Sequence, residues 1–458
     1  MKKRQFLAMS AHCAAMPALL GASKALWAMP SQLRVRKNLM SLDDKDPFFE
    51  KYGQAVAAMH ALPARDLRSW WGQATIHANH CSHGTANFVT WHRPYLLLFE
   101  SICAHLIGDP GFTLHYWDWS QKAGILPNPF YDMNKLNVTY WRDRGVYNGI
   151  NWGPVNSLPV RALGRGVGLQ SDPMRAGAFT SRALKSILNQ SQFSNFTNML
   201  ERQPHNTAHV AIGFPPRGLP GHMGSGLSSL DPIFWMHHTM VDYMWAQWQK
   251  AGNVTTDVDE SYTGMFVDAN GRPASFSARQ VHDFESLGYT YDTLINEGAL
   301  QQLLELAPAS GNYQLALRDQ LANNKPQSLA NASTGVEVLA NTPASIKANV
   351  PSLLKTLQGT RVFSTQVGGN RRLAFEGKRV LAVLKHVGWP QGEHEGLMVN
   401  AFVNCPDLTP STSTEDPHYA GTFSFFGAPT MNHAGGHDGH SVIFDITAPL
   451  LAQGPKVA

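Results

Sequence analysis

A mainly α domain, built on a central four-helix bundle around clustered histidines and followed by a small β-sandwich, is the fold class this sequence predicts. Three observations predict it. Apolar segments with helical caps carry histidines at helical spacing between residues 70 and 250. From about Arg371 the pattern changes to short alternating runs separated by turn-rich stretches, as in a β unit. The chain has 458 residues, enough for two domains.

The helical elements follow in order. Trp70, Trp71 and Ile76 mark the apolar side of a helix that ends at His77. A second helix beginning around Thr90 takes Pro94 in its opening turn, and Tyr95 to Ile107 is apolar nearly all round, which places it centrally in a bundle. Pro204 suits a first helical position, and His205 and His209, four apart, share one face of the helix it opens. Gly213 offers a stop. Asp231-Pro232 reads as a cap and first turn, and Phe234, Val241, Met244, Trp245 and Trp248 give the coverage of a buried helix. His238 and Asp242 lie one turn apart on it, so the carboxylate can orient a ligand or pair with an arginine.

Two groups of three histidines therefore stand out: His77, His83 and His92, then His205, His209 and His238. Six neutral imidazoles with no carboxylate among them suit a borderline metal that favours nitrogen, and copper fits. Two such sites facing each other would hold a copper pair with room for dioxygen. His80 competes with His77 for the first ligand position. His60, His115, His222 and His237 read as core residues, solvated residues or residues that support a ligand from behind. His433, His437 and His440 read as a flexible polar loop.

These residues resemble the tyrosinase and polyphenol oxidase family, the type-3 dinuclear copper proteins. The first family signature is met by His83, Phe88, Trp91-His92-Arg93 and Glu100, and the second by Asp231 through Asp242, where the second histidine of the pair, His238, is the ligand. Tyr116-Trp-Asp-Trp119 and Tyr289-Thr-Tyr291 are also similar to family motifs, the latter closing the catalytic domain. The resemblance implies a dicopper site and an enzyme that hydroxylates monophenols and oxidises o-diphenols to o-quinones with dioxygen. A catechol oxidase lacking the first step and a haemocyanin-like dioxygen carrier are the alternatives; a carrier would string many units together, and this chain has one. The resemblance gives Glu201 and Asn206 the task of positioning a water that takes the phenol's proton. It also implies a thioether between Cys81 and His83, as in the Cys-x-His pair of fungal tyrosinases and molluscan haemocyanins.

The implied organisation is an export signal over residues 1–28, a catalytic domain over 29–291, a linker over 292–370 and a C-terminal β domain over 371–458. The last resembles the plant polyphenol oxidase domain that rests over the copper pair as a lid, with Phe425, Phe426 and Met431 as candidates to fill the phenol pocket. Lys3-Arg4 before an apolar stretch resembles a twin-arginine signal and points to export to the periplasm or beyond; the missing arginine pair leaves ordinary export and cytoplasmic retention open. A net charge of +4 is too mild to argue for nucleic acid or a membrane surface, and no other stretch is long enough to span a bilayer. Small phenols and dioxygen are the partners this reading implies. Four cysteines, Cys13, Cys81, Cys103 and Cys405, imply no disulfide framework.

Overall fold

The computed structural model describes residues 33–132, 163–214, 221–256, 258–294, 379–387, 397–426 and 440–453, with shorter pieces between them. The export signal read at 1–28, Met431, His433, His437 and most of the stretch 292–370 lie outside the described residues. His440 is described by its backbone alone.

Strand β1 (Arg34–Arg36) runs parallel to β4 (Tyr289–Tyr291), with Arg36 opposite Tyr291, so entry to and exit from the helical region lie side by side. Between them α1 (Pro47–Ala61) starts on Asp46, whose side chain accepts from the Phe48 N–H, and α2 (Trp70–His80) starts on Ser69, which accepts from Gly72. Gly72 is required by space: a Cβ there would meet the Asp66 carbonyl oxygen at 2.3 Å. α3 (Phe88–Ile107) ends on Gly108 in the left-handed region (φ 66°). It begins two residues before the expected Thr90, so Pro94 lies in the second turn and removes a backbone donor there.

The largest departure from the sequence reading concerns Pro204. No helix starts there. Instead α4 (Phe193–Leu200) continues through one wide π turn (Glu201–His205) into α5 (Asn206–Gly213). A proline cannot donate to the carbonyl four residues back and its ring crowds it; the wider turn accommodates both. Gly213 does end α5, through close approach: a Cβ would lie 2.0 Å from the Gly224 nitrogen. Asp231 opens α6 (Ile233–Lys250) by accepting from the Ile233 N–H at 3.1 Å.

The core is aromatic. Trp70, Trp71, Trp91, Trp117, Trp119, Trp235, Trp245 and Trp248 are all fully buried. Each removes roughly 150–250 Å² from water, about 4–6 kcal/mol at 25 cal/mol/Å². Phe99 of α3 and Trp235 of α6 stack nearly parallel (9°), locking the two central helices face to face. The antiparallel hairpin of β2 (Ser261–Val267) and β3 (Pro273–Ser277) closes one side, Phe266 lying against Trp91.

The C-terminal region is built from antiparallel pairs. β5 (Arg361–Val367) pairs with β6 (Asn370–Glu376), so strand pairing begins inside the stretch read as linker. β7 (Leu381–Val387) pairs with β10 (His440–Asp445), and β8 (Met398–Phe402) with β9 (Tyr419–Ser424). Phe423, Val442 and Phe444 form its own buried apolar cluster, drawn from both of the last two pairs. Among the described residues, no helix is long and apolar enough to cross a membrane.

Candidate metal centre

The predicted ligands converge in the middle of the helical region, and most are oriented the same way. His77 of α2 donates from Nδ1 to the Gly226 carbonyl at 3.1 Å, His92 of α3 to the Phe88 carbonyl one turn back at 2.7 Å, and His209 of α5 to the Met223 carbonyl at 2.8 Å. His205, at the end of the π turn, donates to Asn206 Oδ1 at 2.9 Å, and the Nδ1 of His83, on the loop after α2, lies 3.2 Å from Cys81 Sγ. A carbonyl accepts only, so Nδ1 carries the proton and Nε2 keeps its lone pair. The Nε2 atoms of His92 and His209 are buried with no hydrogen-bond partner among the described residues. The Nε2 atoms of His205 and His238 face each other at 3.3 Å. Buried lone pairs without a partner, as at His92 and His209, are costly unless a cation receives them.

Ring centroids within the first group lie 5.2–5.6 Å apart, and within the second 4.6–5.7 Å. The groups interlock: His92 and His238 stack at 4.2 Å, and His83 faces His205 at 5.5 Å. Burial, and then neighbouring imidazoles, hold His92, His205, His209 and His238 well below the ordinary histidine pKa. They are kept neutral, as metal ligation requires.

Residues 51–251 match the family model described as the common central domain of tyrosinase. Residues 51–251 are thus a tyrosinase-type central domain. Among relatives, the (+)-larreatricin hydroxylase of Larrea tridentata is 30% identical over 292 residues, covering 57% of this chain and 49% of that protein. A tyrosinase of Hahella sp. is 27% identical over 311 residues, covering 57% of this chain and 63% of its own. The matched regions thus span from about half to less than two thirds of those relatives. Latent apple tyrosinase has the same fold, with TM-score 0.54 at 20% identity over 93% of this chain and 92% of that one. So does a recombinant latent aurone synthase, with TM-score 0.53 at 20% identity over 92% of this chain and 83% of that one.

The remaining histidines separate within this tyrosinase framework. His80 lies exposed at the end of α2, which removes it as a rival to His77. His60 packs on Trp70 and His115 on Phe48, both away from the cluster. His237, read from sequence as a core, solvated or ligand-supporting residue, lies against the cluster. It is fully buried, with its ring 5.0 Å from His205, 4.8 Å from His209 and 5.1 Å from Trp119. A ligand atom of His237 lies within 4.8 Å of those of His205, His209 and His238. The adjacent histidine pair was the signal, although one step along a helix turns a side chain by about 100°.

Asp242 pairs with arginines and touches no ligand histidine. It accepts from Arg93, Arg36, Tyr289 and Tyr291. Burial alone would raise its pKa; Arg93 and Arg36 hold it below the usual carboxylate range. Arg36 also donates to Glu100, which accepts further from Thr113 and the Leu114 N–H. The arginine and glutamate of the first signature and the aspartate of the second are thus a buried charge network tying α3, α6, β1 and β4.

Glu201 is buried, and its Oε1 accepts from the Gly84 N–H at 2.6 Å. Burial raises its pKa, against the opposing pull of Arg202 and that N–H. Asn206 makes a connection the sequence did not suggest. Its Oδ1 holds His205, and its Nδ2 donates to the Ser424 carbonyl of β9 at 3.0 Å. Two residues beyond Ser424, Phe426 stacks on the His209 ring at 3.8 Å and 16°, with His83 and His205 about 6 Å from its centroid. Phe425 turns the other way, to Phe423.

Proposed function

We propose that the protein is a copper-dependent phenol oxidase, hydroxylating monophenols to o-diphenols and oxidising o-diphenols to o-quinones with dioxygen. The observation that carries this reading is the convergence of Nε2 lone pairs on rings whose Nδ1 atoms are already tied. An all-imidazole donor set favours copper over the hard cations that carboxylate sites select. His77, His83 and His92 would hold one ion and His205, His209 and His238 the other. A bound copper pair supplies dioxygen activation and the two-electron chemistry of the oxidation.

The chain's own residues supply orientation and proton handling. The Nδ1 partners of His77, His92, His205 and His209 fix those rings, which raises ligand basicity and limits rotation. A thioether between Cys81 and His83 fits their 3.2 Å approach and would fix the one ligand carried on a loop. Glu201, whose raised pKa favours holding a proton, stands at the mouth of the His83 loop to receive one from the phenol hydroxyl. Phe426 occupies a position suited to a phenol ring, flat against His209, so the C-terminal region acts as a lid that must move for substrate to enter.

A diphenolase-only enzyme is the second reading, and one observation favours it. Asn206 is committed to His205 and Ser424, which leaves its amide unable to assist Glu201 while the lid is closed. The test is the copper-loaded full chain and its Phe426→Ala variant, each assayed with a monophenol and the matching o-diphenol. Turnover of both supports the first reading, and of the diphenol alone the second. Reversible dioxygen uptake with no turnover of either would mean a carrier. Export by residues 1–28 is part of the proposal, tested by sequencing the N-terminus of protein recovered outside the cytoplasm.

A further inference from the structure

The C-terminal region holds a second group of metal-ligating side chains, unrelated to the histidine cluster. Cys405, Asp416 and His418 each offer a donor atom, and these all lie within 4.8 Å of one another. All three are half-buried, so the group is open to ions from solvent.

The backbone fixes both halves of this group. The Val403 N–H donates to the His418 carbonyl at 2.8 Å, closing the end of the β8–β9 ladder. Asn404 then takes a left-handed conformation (φ 50°), which turns the chain at Cys405. It is held there by donation from its Nδ2 to Gln453 Oε1 at 3.1 Å, while Gln453 donates to the Val403 carbonyl at 2.9 Å. On the other side Asp416 Oδ1 accepts from the His418 N–H and meets its Nδ1, each at 2.8 Å.

We propose that Cys405, Asp416 and His418 bind a borderline divalent cation of the zinc class, which staples the loop between β8 and β9. The donor set of one thiolate, one imidazole and one carboxylate matches that class, with solvent completing the four-coordinate shell. His418 lowers the Asp416 pKa, so the carboxylate is ionised and ready. Partial burial and Asp416 raise that of Cys405, a cost that a bound cation reverses by stabilising the thiolate.

The fold has a use for such a staple. Residues 403–418, the 16 between the end of β8 and the start of β9, contain no helix or strand. Loops of that length inside compact domains are uncommon without a function or a tie. The β unit's own buried cluster is three side chains among the described residues, and small cores of this kind are commonly supplemented by metals or disulfides. The same loop sits on the helical region, where Thr414 Oγ1 donates to the Pro173 carbonyl at 2.9 Å. An ion joining positions 405 and 418 would therefore stiffen the base of the strand that leads to Phe426.

Cobalt(II) added to the full-length protein tests this, because thiolate ligation produces a near-ultraviolet charge-transfer absorption that imidazole and carboxylate ligands do not. Wild type and Cys81→Ser should both show it, and Cys405→Ser should lose it. In the wild type, zinc at about ten times its Kd should slow alkylation of the Cys405 peptide roughly tenfold. That second measurement needs no variant to fold. Absence of the absorption in the wild type, its persistence in Cys405→Ser, or an alkylation rate unchanged by zinc would each overturn the proposal.

Discussion

Asp242 accepts four side-chain donors from three chain segments, all of them buried, whereas the C-terminal strands meet the helical region mostly through neutral hydrogen bonds. Asn198 donates to the Ser441 carbonyl, Gln203 to Ile443 and Asn206 to Ser424, a row of side-chain amides along α4, the π turn and α5. The two regions thus differ in what separation would cost. Breaking a buried ion pair strands a charge away from water, about 3–5 kcal/mol. A neutral amide–carbonyl bond exchanges for water at about 1 kcal/mol net. One region is held as though it must never open, and the other as though it must.

The sharpest way to break this contrast is at the ligands. His92→Ala and His238→Ala should each lose one copper and all activity, read by metal analysis and diphenol assay. His237→Ala should retain both ions; loss of copper there with retention in His238→Ala would exchange the roles of the two neighbours.

Next in size, Asp242→Ala should destabilise the helical region by about 3–5 kcal/mol, measured by urea unfolding. Its pH signature follows from the lowered pKa. A carboxylate depressed in the fold contributes stability that is complete above its unfolded value, near pH 4, and lost as pH falls through the folded one. Asp242→Asn should flatten that acid limb.

Phe426→Ala should act in the opposite direction on function. If the open form is a minor state of at most about 10%, unblocking the pocket raises diphenol turnover roughly tenfold or more, with copper content unchanged. Equal rates in variant and wild type would mean that Phe426 packs without blocking. Asn198→Ala and Gln203→Ala should have the smallest effects, about 1 kcal/mol each on the attachment of the β region, seen as faster limited proteolysis of that region alone.

How far the sequence could be read follows the same division. The six proposed ligands could be picked out because metal chemistry restricts residue type and helical spacing restricts position, and the structure brings their rings together. The fate of Asp242 was half legible: pairing with an arginine was foreseen, but Arg36 and the two tyrosines come from strands more than 45 residues away in sequence. Pro204 misled because its strongest local preference is to start a helix, and tertiary packing overrode it. The contact from Asn206 to Ser424 had no local signal at all, since a backbone carbonyl can be supplied by any residue. Phe426 stood among three candidates chosen by chemistry alone, and only the course of β9 separates it from Phe425.

The π turn at Glu201–His205 has a consequence for how this chain can vary. Phe193 and Phe196 upstream of it face Trp248, while His205 and His209 downstream face the cluster. A π turn holds one residue more than an α turn, so it works as a rotary coupling between two faces of a single rod, offset by about 100°. Deleting one residue between Glu201 and Pro204 would leave every ligand in the chain and every cap in place. It would nonetheless swing both histidines out of the centre, dispersing the cluster by phase alone.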